Sequence, residues 1–201
     1  MPAKKAVSRK TPAKKQSSTK KQPKILASKT IFRGRVFSVT SDRVKELEGF
    51  VVQREVVRHG GSVVILAVDD EPDDPRVLLE RQYRHAAGKY LWELPAGSLD
   101  EGEDTLAGGK RELLEETGYR AKKWSRAPFF YPSPGFLDET MTIYLAQGLT
   151  AGEARPEADE FITWKLTPLS LALRMLRSGK IQDGKTIAGV LWLAEFIRRS
   201  G

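Results

Sequence analysis

Residues 97–119 carry a spacing of glycine and acidic residues that constrains this chain more than any other feature of its sequence. The segment reads GSLDEGEDTLAGGKRELLEETGY and predicts a helix over residues 104–117. On that helix Glu112, Glu115 and Glu116 fall at positions i, i+3 and i+4, so their carboxylates share one face. Such like charges weaken a bare helix, whereas a hard divalent cation, which prefers oxygen ligands, would turn their repulsion into binding.

This segment closely resembles the Nudix box, the signature of a family of hydrolases. The glycine, acidic and arginine positions that frame the box are filled by Gly97, Glu103, Arg111 and Gly118. Tyr119 departs from the family, which usually has a branched aliphatic residue there. The resemblance implies the Nudix fold, an α/β/α sandwich around a mixed sheet, and it extends over roughly residues 30–199. An ordinary surface helix with a solvated acidic face is the competing interpretation.

The resemblance also implies roles for individual positions. The oxygen ligands of Mg²⁺ or Mn²⁺ would be Ala96, through its carbonyl, Glu112, Glu116 and, beyond the box, Glu160. Glu115 would be a further acid at the cation, and Gly97 would let the backbone turn sharply beside it. Glu103 and Arg111 would orient the loop and the helix, because a bidentate arginine–carboxylate pair fixes geometry well. Gly118 would end the helix.

Three further motifs resemble the ADP-ribose pyrophosphatase subgroup of this family. They are REVV at residues 54–57, RQYR at 81–84 and SPGF at 133–136. By resemblance, the residues that bind a nucleoside diphosphate would be Arg54, Glu55, Arg81, Arg84, Phe136 and Glu139. Arg84 and Arg81 would pair with the diphosphate, and Glu55 would accept a hydrogen bond from adenine across a homodimer interface. Phe136 and Glu139 would border the terminal ribose, although exposed strand charges and a simple Pro-Gly turn would explain the same motifs without a ligand.

The general base that activates water would come, by the same resemblance, from the loop over residues 148–160. Glu153 and Glu157 are the candidates. The glycine, alanine and proline content of this loop fits a lid that closes over a substrate. An isolated acidic run of this kind is ordinarily a solvated loop, which is the alternative interpretation.

The rest of the chain predicts a mixture of strands and helices. Runs rich in Val, Ile and Leu predict strands at residues 30–44, 50–58, 62–68, 76–83, 91–95, 122–130, 141–146 and 161–166. Two more helices are predicted, at residues 169–177 and 185–199. Strands interrupted by one loop–helix unit and followed by helices independently favour an α/β/α sandwich. Gly108 and Gly109, inside the first helix, each destabilise a helix by about 1 kcal/mol relative to alanine. Their presence there predicts that the helix packs closely on a sheet at these two positions.

Charge is distributed unevenly along the 201 residues. Residues 1–29 hold ten basic residues and no acidic one, so the net charge of +8 leaves residues 30–201 at −2. The first segment, rich in Lys, Ser, Pro and Ala, predicts a disordered basic tail before a single hydrolase domain over residues 30–201. The tail would act either as a solubilising extension or as a weak, salt-dependent contact with nucleic acid or another polyanion.

Composition also bounds the cellular setting. The chain has no cysteine, hence no disulfide framework and no thiol nucleophile, which agrees with a cytoplasmic protein. No apolar run is long enough to suggest a transmembrane helix or a secretory signal, so we expect no membrane association.

Three functions stay open on this evidence. The first, implied by the resemblance, is Mg²⁺-dependent hydrolysis of the pyrophosphate bond of ADP-ribose to AMP and ribose 5-phosphate by a homodimer. The second is the same chemistry on GDP-mannose, another nucleotide sugar or an RNA cap. The third is a non-catalytic Nudix-fold protein that binds nucleic acid through its tail. An intact box favours the first two.

Overall fold

The structure, a computed structural model, describes residues 22–69, 71, 73–154 and 162–200. Its strands are β1 (Lys24–Arg33), β2 (Phe37–Lys45), β3 (Val51–His59), β4 (Ser62–Ala67), β5 (Arg76–Arg84), β6 (Lys89–Glu93), β7 (Ala96–Ser98), β8 (Arg120–Phe130), β9 (Met141–Thr150) and β10 (Thr163–Pro168). Its helices are α1 (Thr105–Thr117), α2 (Leu169–Arg177) and α3 (Gly184–Ser200), with a 3-10 turn at His85–Ala87. Within this described part, no helix is both long and apolar enough to cross a membrane.

Three sheets organise the strands. The first has the order β1-β2-β3 and is antiparallel throughout. The second has the order β10-β5-β6 and is also antiparallel. The third has the order β7-β4-β9-β8 and is mixed, because β4 pairs in parallel with β9 while its pairing with β7 is antiparallel.

Strand β4 is the centre of the sandwich, and all six of its residues are buried. Alternate side chains of a strand point to opposite faces of a sheet. Val64 and Leu66 accordingly join the core beneath α2 and α3, whereas Ile65 and Ala67 join the core beneath α1. Helices therefore cover both faces of the mixed sheet, and the predicted α/β/α sandwich is confirmed.

The N-terminal sheet differs from the prediction. One strand was expected over residues 30–44, but two are present, joined by a turn in which the Gly34 N–H donates to the Phe37 carbonyl over 2.9 Å. Strand β1 also begins at Lys24, so its first six residues lie in the segment that we expected to belong to the tail. The segment KILASKTIFR pairs with β2 through its backbone, and a lysine-rich composition does not oppose that pairing.

The approach to the box also differs from the prediction. A strand over residues 91–95 was expected to enter a loop at Gly97, but β6 ends at Glu93 in the β10-β5-β6 sheet, and the chain then joins the mixed sheet as β7. Pro95 lies at the break, because it has no N–H to donate to a ladder. Its carbonyl instead accepts from the Ile65 N–H over 2.8 Å, which ties this segment to β4.

Helix α1 packs closely on the mixed sheet through Gly109 and on the preceding loop through Gly108. A Cβ on Gly109 would lie 3.2 Å from the Val63 side chain, and one on Gly108 would lie 2.8 Å from Leu99. Val63 belongs to β4, whereas Leu99 lies in the loop before α1, so a larger side chain at Gly109 would crowd the sheet and one at Gly108 would crowd the loop. The close packing on a sheet that the glycine pair predicted is therefore confirmed at Gly109.

Candidate active site

Helix α1 has defined stops at both ends, and these stops fix where its acidic residues stand. The Asp104 carboxylate caps the first turn by accepting hydrogen bonds from the Leu106 and Ala107 N–H groups, each over 3.1 Å. At the other end Gly118 adopts φ of 73° and donates its N–H to the Leu114 carbonyl, as expected of a helix-ending glycine.

The carboxylate of Glu112 lies directly against the backbone of Gly97. A Cβ built on Gly97 would stand 1.9 Å from Glu112 Oε1 and 2.0 Å from its carboxyl carbon, so any side chain there would displace this carboxylate. Gly97 lies in strand β7 and is not among the residues with positive φ, so the sharp turn expected at this position was wrong. The glycine is required for the close approach of a carboxylate to the backbone next to Ala96.

Arg111 stands at the centre of the acidic residues of the box. Its Nε and Nη2 donate to the two oxygens of Glu103 over 3.1 and 3.0 Å, a bidentate pair that ties the helix to the loop before it. Its Nη1 donates to Glu112 over 2.8 Å and to Glu115 over 3.1 Å. Hydrogen bonding to Glu103 is the main cause that raises the pKa of Arg111, and the same contact lowers the pKa of Glu103.

The three carboxylates of the helix differ in burial. Glu116 is only 4% exposed, whereas the Glu115 side chain is 42% exposed. In the described ranges, no three acidic or histidine side chains are grouped closely enough to form a metal site as they stand. Arg111 donates to both Glu112 and Glu115, so a cation bound here would take over the neutralisation of these carboxylates.

Two pockets meet beside Gly97. One, of about 320 Å³, is lined by Arg111, Glu112, Glu115 and Asp100; the other, of about 260 Å³, is lined by His59, Ser62, Glu139, Met141 and Lys185. Both share Arg84 and the strand β7. The cleft is therefore acidic at the end lined by α1. The Arg84 guanidinium lies at the junction, the point where the two pockets meet.

Arg84 is held at this junction by a buried carboxylate. Its Nε and Nη2 donate to the two oxygens of Glu93 over 2.9 and 2.8 Å, and Lys185 Nζ contacts the second of those oxygens. Burial would raise the pKa of Glu93, but the hydrogen bonds and charges of Arg84 and Lys185 outweigh it and hold that pKa below its ordinary value. The hydrogen bond with Glu93 likewise raises the pKa of Arg84.

Glu139 lies in the second pocket and is held there by its neighbours. The Ser62 hydroxyl donates to Glu139 Oε1 over 2.6 Å, and His59 Nδ1 lies 3.7 Å from the same oxygen. Because His59 Nδ1 accepts a hydrogen bond from the Gly61 N–H over 3.1 Å, its proton sits on Nε2 in the neutral ring. Phe136, in contrast, is 56% exposed and does not line either pocket.

Besides Phe136, three of the expected substrate-binding residues, Arg54, Glu55 and Arg81, line neither pocket of this single chain. Arg54 pairs with Glu46 over 2.9 Å, and Glu55 is exposed on β3. Arg81 lies an odd number of residues from Arg84 on the same strand, so the two point to opposite faces. The Arg81 guanidinium accordingly lies 4.8 Å from the centre of the Tyr90 ring, away from the junction.

The loop after β9 is described only in part. A Cβ on Gly118 would lie 2.6 Å from the Ala154 nitrogen and 2.8 Å from the Glu153 carbonyl carbon, so this loop packs against the end of α1. Glu153 lines a pocket with Leu114 and Arg120 that does not include the box carboxylates. Glu157 and Glu160, the other acids expected to act here, lie outside the described residues.

Comparisons with known proteins agree with this geometry. The sequence profile of the NUDIX domain matches residues 58–189. The chain is 41% identical over 170 residues to the ADP-ribose pyrophosphatase of Mycobacterium tuberculosis, across 83% of this chain and 80% of that protein. It is 36% identical over 174 residues to the ADP-ribose pyrophosphatase of Bacillus subtilis, across 86% of this chain and 92% of that protein.

The chain belongs to the Nudix family. A crystal structure of an ADP compounds hydrolase also superposes on it with a TM-score of 0.77, across 90% of this chain and 97% of the other. The identity in that comparison is 23%, so it supports the Nudix fold alone. The resemblance drawn from residues 97–119 is thereby confirmed.

Two residues of the Nudix cleft were missed by the sequence reasoning. Glu93 looked like one polar residue in an otherwise apolar strand, and Lys185 looked like an ordinary residue at the start of a helix. One signal was available, because a lysine in the first turn of a helix opposes the helix dipole and calls for a nearby anion. Two carboxylates contact the Lys185 amine: that of Glu93, 92 positions earlier in the chain, and that of Asp183, whose Oδ2 lies 3.2 Å away.

Proposed function

We propose that this chain is a divalent-metal-dependent Nudix hydrolase that cleaves the pyrophosphate bond of ADP-ribose to AMP and ribose 5-phosphate. The observation that carries the proposal is the cleft beside Gly97, in which the carboxylates of α1 and the Arg84 guanidinium line one pocket. Carboxylates hold hard cations, and a guanidinium pairs with phosphate oxygens in a fixed planar geometry. A diphosphate bound between them would meet both kinds of group.

The donors at the acidic end of the cleft fit a hard divalent cation. They are oxygens: Glu112 and Glu115 line the pocket together with Ala96 and Gly97, and Glu116, the next residue of α1, is almost fully buried. We therefore assign Ala96, Glu112 and Glu116, with Glu160 beyond the described residues, as the groups that would hold Mg²⁺ or Mn²⁺. When bound, such a cation neutralises phosphate oxygens and lowers the pKa of water.

The reaction itself is a hydrolysis of one bridging P–O bond. A water oxygen bonds to one phosphorus, the bond from that phosphorus to the bridging oxygen breaks, and the bridging oxygen leaves with the other phosphate. Arg84 would hold the diphosphate oxygens during this exchange. One of Glu115, Glu153 and Glu157 would take the proton from water; Glu115 lines the cleft, whereas Glu153 would need the loop after β9 to move.

The identity of the group beyond the diphosphate is proposed from two lines of support. Proteins named ADP-ribose pyrophosphatase are similar to this chain over most of its length. Glu139 is held in the pocket adjoining the diphosphate position, where a carboxylate can accept hydrogen bonds from ribose hydroxyls. Phe136, which is exposed in the same loop as Glu139, would cover the same ribose.

A homodimer belongs to the same proposal. The N-terminal sheet exposes many large apolar side chains, including Ile25, Ile31, Phe32, Phe37 and Phe50, each between 43% and 57% exposed. An apolar surface of this kind marks a protein interface more often than a free surface. Pairing of two copies through this sheet would also bring the exposed Arg54 and Glu55 to a second subunit, where Glu55 would accept from the adenine amino group.

The basic tail and the cellular compartment complete the proposal. The ten basic residues of 1–29 would give a weak, salt-dependent contact with a polyanion that is separate from hydrolysis. Deletion of residues 1–21, which stops short of β1, should leave hydrolysis unchanged and abolish retention on heparin at low salt. The cytoplasm is the expected compartment.

Hydrolysis can be tested directly with purified protein. Incubation with ADP-ribose and MgCl₂ should release AMP and ribose 5-phosphate in equal amounts, and Glu116→Gln should lower kcat by at least ~100-fold. Glu195→Gln, at an exposed position far along α3, is the matched control and should keep full activity. Turnover of GDP-mannose or capped RNA with none of ADP-ribose would contradict the substrate; equal activity of Glu116→Gln and the wild type would contradict the site.

A further inference from the structure

We propose that Lys185 is a positioning residue for diphosphate binding, acting through Glu93 to hold the Arg84 guanidinium at the junction of the two pockets. The inference rests on the proposed function, because it gives Arg84 the task of binding the substrate diphosphate. It adds a residue from the C-terminal helix that the box and its neighbouring motifs do not contain.

The geometry is a chain of two charged contacts on one carboxylate. Glu93 Oε1 accepts from Arg84 Nε over 2.9 Å, and Oε2 accepts from Arg84 Nη2 over 2.8 Å and also from Lys185 Nζ. The plane of the carboxylate therefore sets the plane of the guanidinium. Lys185 fixes one oxygen of that carboxylate from the opposite element, α3.

Burial makes these contacts strong. The Glu93 and Lys185 side chains are 2% and 7% exposed, whereas the Arg84 side chain is 39% exposed. Solvent screens the inner pair little, so the carboxylate orientation is set by its two cations. Arg84 alone reaches solvent and lines both pockets, as a group that meets an incoming anion must.

Residues other than Lys185 also attach the start of α3 to the sheet. The Thr186 hydroxyl accepts from the Leu94 N–H over 2.7 Å and donates to Asp183 over 2.6 Å, and Lys89 Nζ donates to Gln182 over 2.7 Å. The first and last of these contacts tie the start of α3 to β6 and the residue after it. The Lys185 amine is stabilised in this turn by two carboxylates, Asp183 at 3.2 Å and the buried Glu93, and its contact with Glu93 is the one that leads to Arg84.

Removal of the Lys185 amine should weaken substrate binding more than turnover. With Lys185→Met, Glu93 keeps a single cationic partner and its carboxylate can rotate. The Arg84 guanidinium is then no longer held in one orientation. The KM for ADP-ribose should rise about 10-fold while kcat stays within about 2-fold, because binding in the ground state and in the transition state is lost together. Lys185→Arg restores the charge and should recover most of the affinity. The Mg²⁺ concentration at half activity should not change.

A double-mutant cycle tests whether Lys185 acts through Arg84. Arg84→Met alone should raise KM at least as much as Lys185→Met, and the double variant should resemble Arg84→Met. Lys89→Met is the matched control, since it removes an exposed lysine contact between β6 and the segment before α3, and its KM should equal that of the wild type. If Lys185→Met does not fold, Lys185→Gln takes its place in the cycle.

The outcomes separate this inference from the proposed function. If the wild type hydrolyses ADP-ribose and Arg84→Met raises KM, but the Lys185 effect is absent or adds in full to the Arg84 effect, the positioning role is overturned and the function stands. An unchanged KM in Arg84→Met would overturn the diphosphate-binding role of Arg84 and this inference with it. Loss of kcat without a change in KM in Lys185→Met would also overturn the inference.

Discussion

Glu112 Oε1 lies 1.9 Å from the point where a Cβ on Gly97 would stand, so the Glu112 carboxylate occupies the space that any side chain at position 97 would need. The two residues come from different elements, α1 and β7, and their contact places the Glu112 carboxylate against the strand at the cleft. The glycine of the box is therefore a requirement of packing against a carboxylate.

Gly97→Ala should disable the enzyme through this contact. The added methyl group must displace the Glu112 carboxylate or separate α1 from β7, and overpacking of this kind costs about 1–3 kcal/mol. We expect kcat for ADP-ribose to fall by about 100-fold or more, together with weaker activation by Mg²⁺. Steady-state kinetics over a range of MgCl₂ concentrations measures both effects.

Gly184→Ala is the control for this substitution. A Cβ on Gly184 would meet no heavy atom within 4 Å, so the variant should retain wild-type kinetics. Wild-type activity in Gly97→Ala would show that Glu112 is not held against the strand in the working enzyme.

Arg111 should stabilise the protein most when no cation is present. It donates to Glu103, Glu112 and Glu115 at once, and a bound cation would take over the neutralisation of the last two. Arg111→Met should therefore lower Tm more in EDTA than in saturating MgCl₂. Thermal unfolding of both proteins under the two conditions measures the difference.

An equal loss of Tm with and without the cation would contradict this expectation. It would mean that Arg111 acts only through Glu103, the loop contact that metal binding leaves in place. Arg198→Met, at an exposed pair with Glu195, is the control and should leave Tm unchanged in both conditions.

The sequence allowed the box helix to be predicted because its information is local. The acidic residues that share one face are spaced i, i+3 and i+4 along the helix. The helix is bounded by Asp104, its N-cap, and by Gly118, its C-cap, so each signal is adjacent in sequence to the structure it predicts. The cores were equally accessible, since the apolar run of β4 implies burial on both faces.

The cluster around Glu93 could not be predicted in this way. Arg84, Glu93 and Lys185 come from β5, β6 and α3, and no spacing along the chain signals that these elements meet. Strand β1 was obscured for a different reason. Its residues follow a lysine-rich segment and its side chains are all exposed, so composition alone resembled the tail. Its place in the sheet depends on backbone pairing with β2.

Arg58 should be far more important for stability than Arg54, although both lie on β3. Arg58 donates to Thr40, to Asp42 and to Asp138, joining the N-terminal sheet to the loop that carries Glu139. Arg58→Met leaves Asp42, which is almost fully buried, without its cation and should lower the free energy of unfolding by about 1–3 kcal/mol.

Arg54→Met provides the comparison within the same strand. Its partner is Glu46 in an exposed pair, so the expected cost is about 0–1 kcal/mol. Urea unfolding of the two variants measures the difference. Equal losses would show that the Asp42 contact contributes no more than a surface ion pair.

The buried Glu93 should make stability depend on pH in a defined direction. Its pKa in the folded protein is below the ordinary value, so between the two values the unfolded chain binds more protons than the folded one. The stabilising contribution is therefore complete above the pKa of Glu in the unfolded chain, about 4.3, and is lost as pH falls through the pKa of Glu93 in the folded protein. Glu93→Gln lacks this titration, so its free energy of unfolding should fall less than that of the wild type between about pH 6 and pH 3. Urea unfolding across this range measures the difference, and parallel curves for the two proteins would mean that Arg84 and Lys185 do not favour the ionised carboxylate.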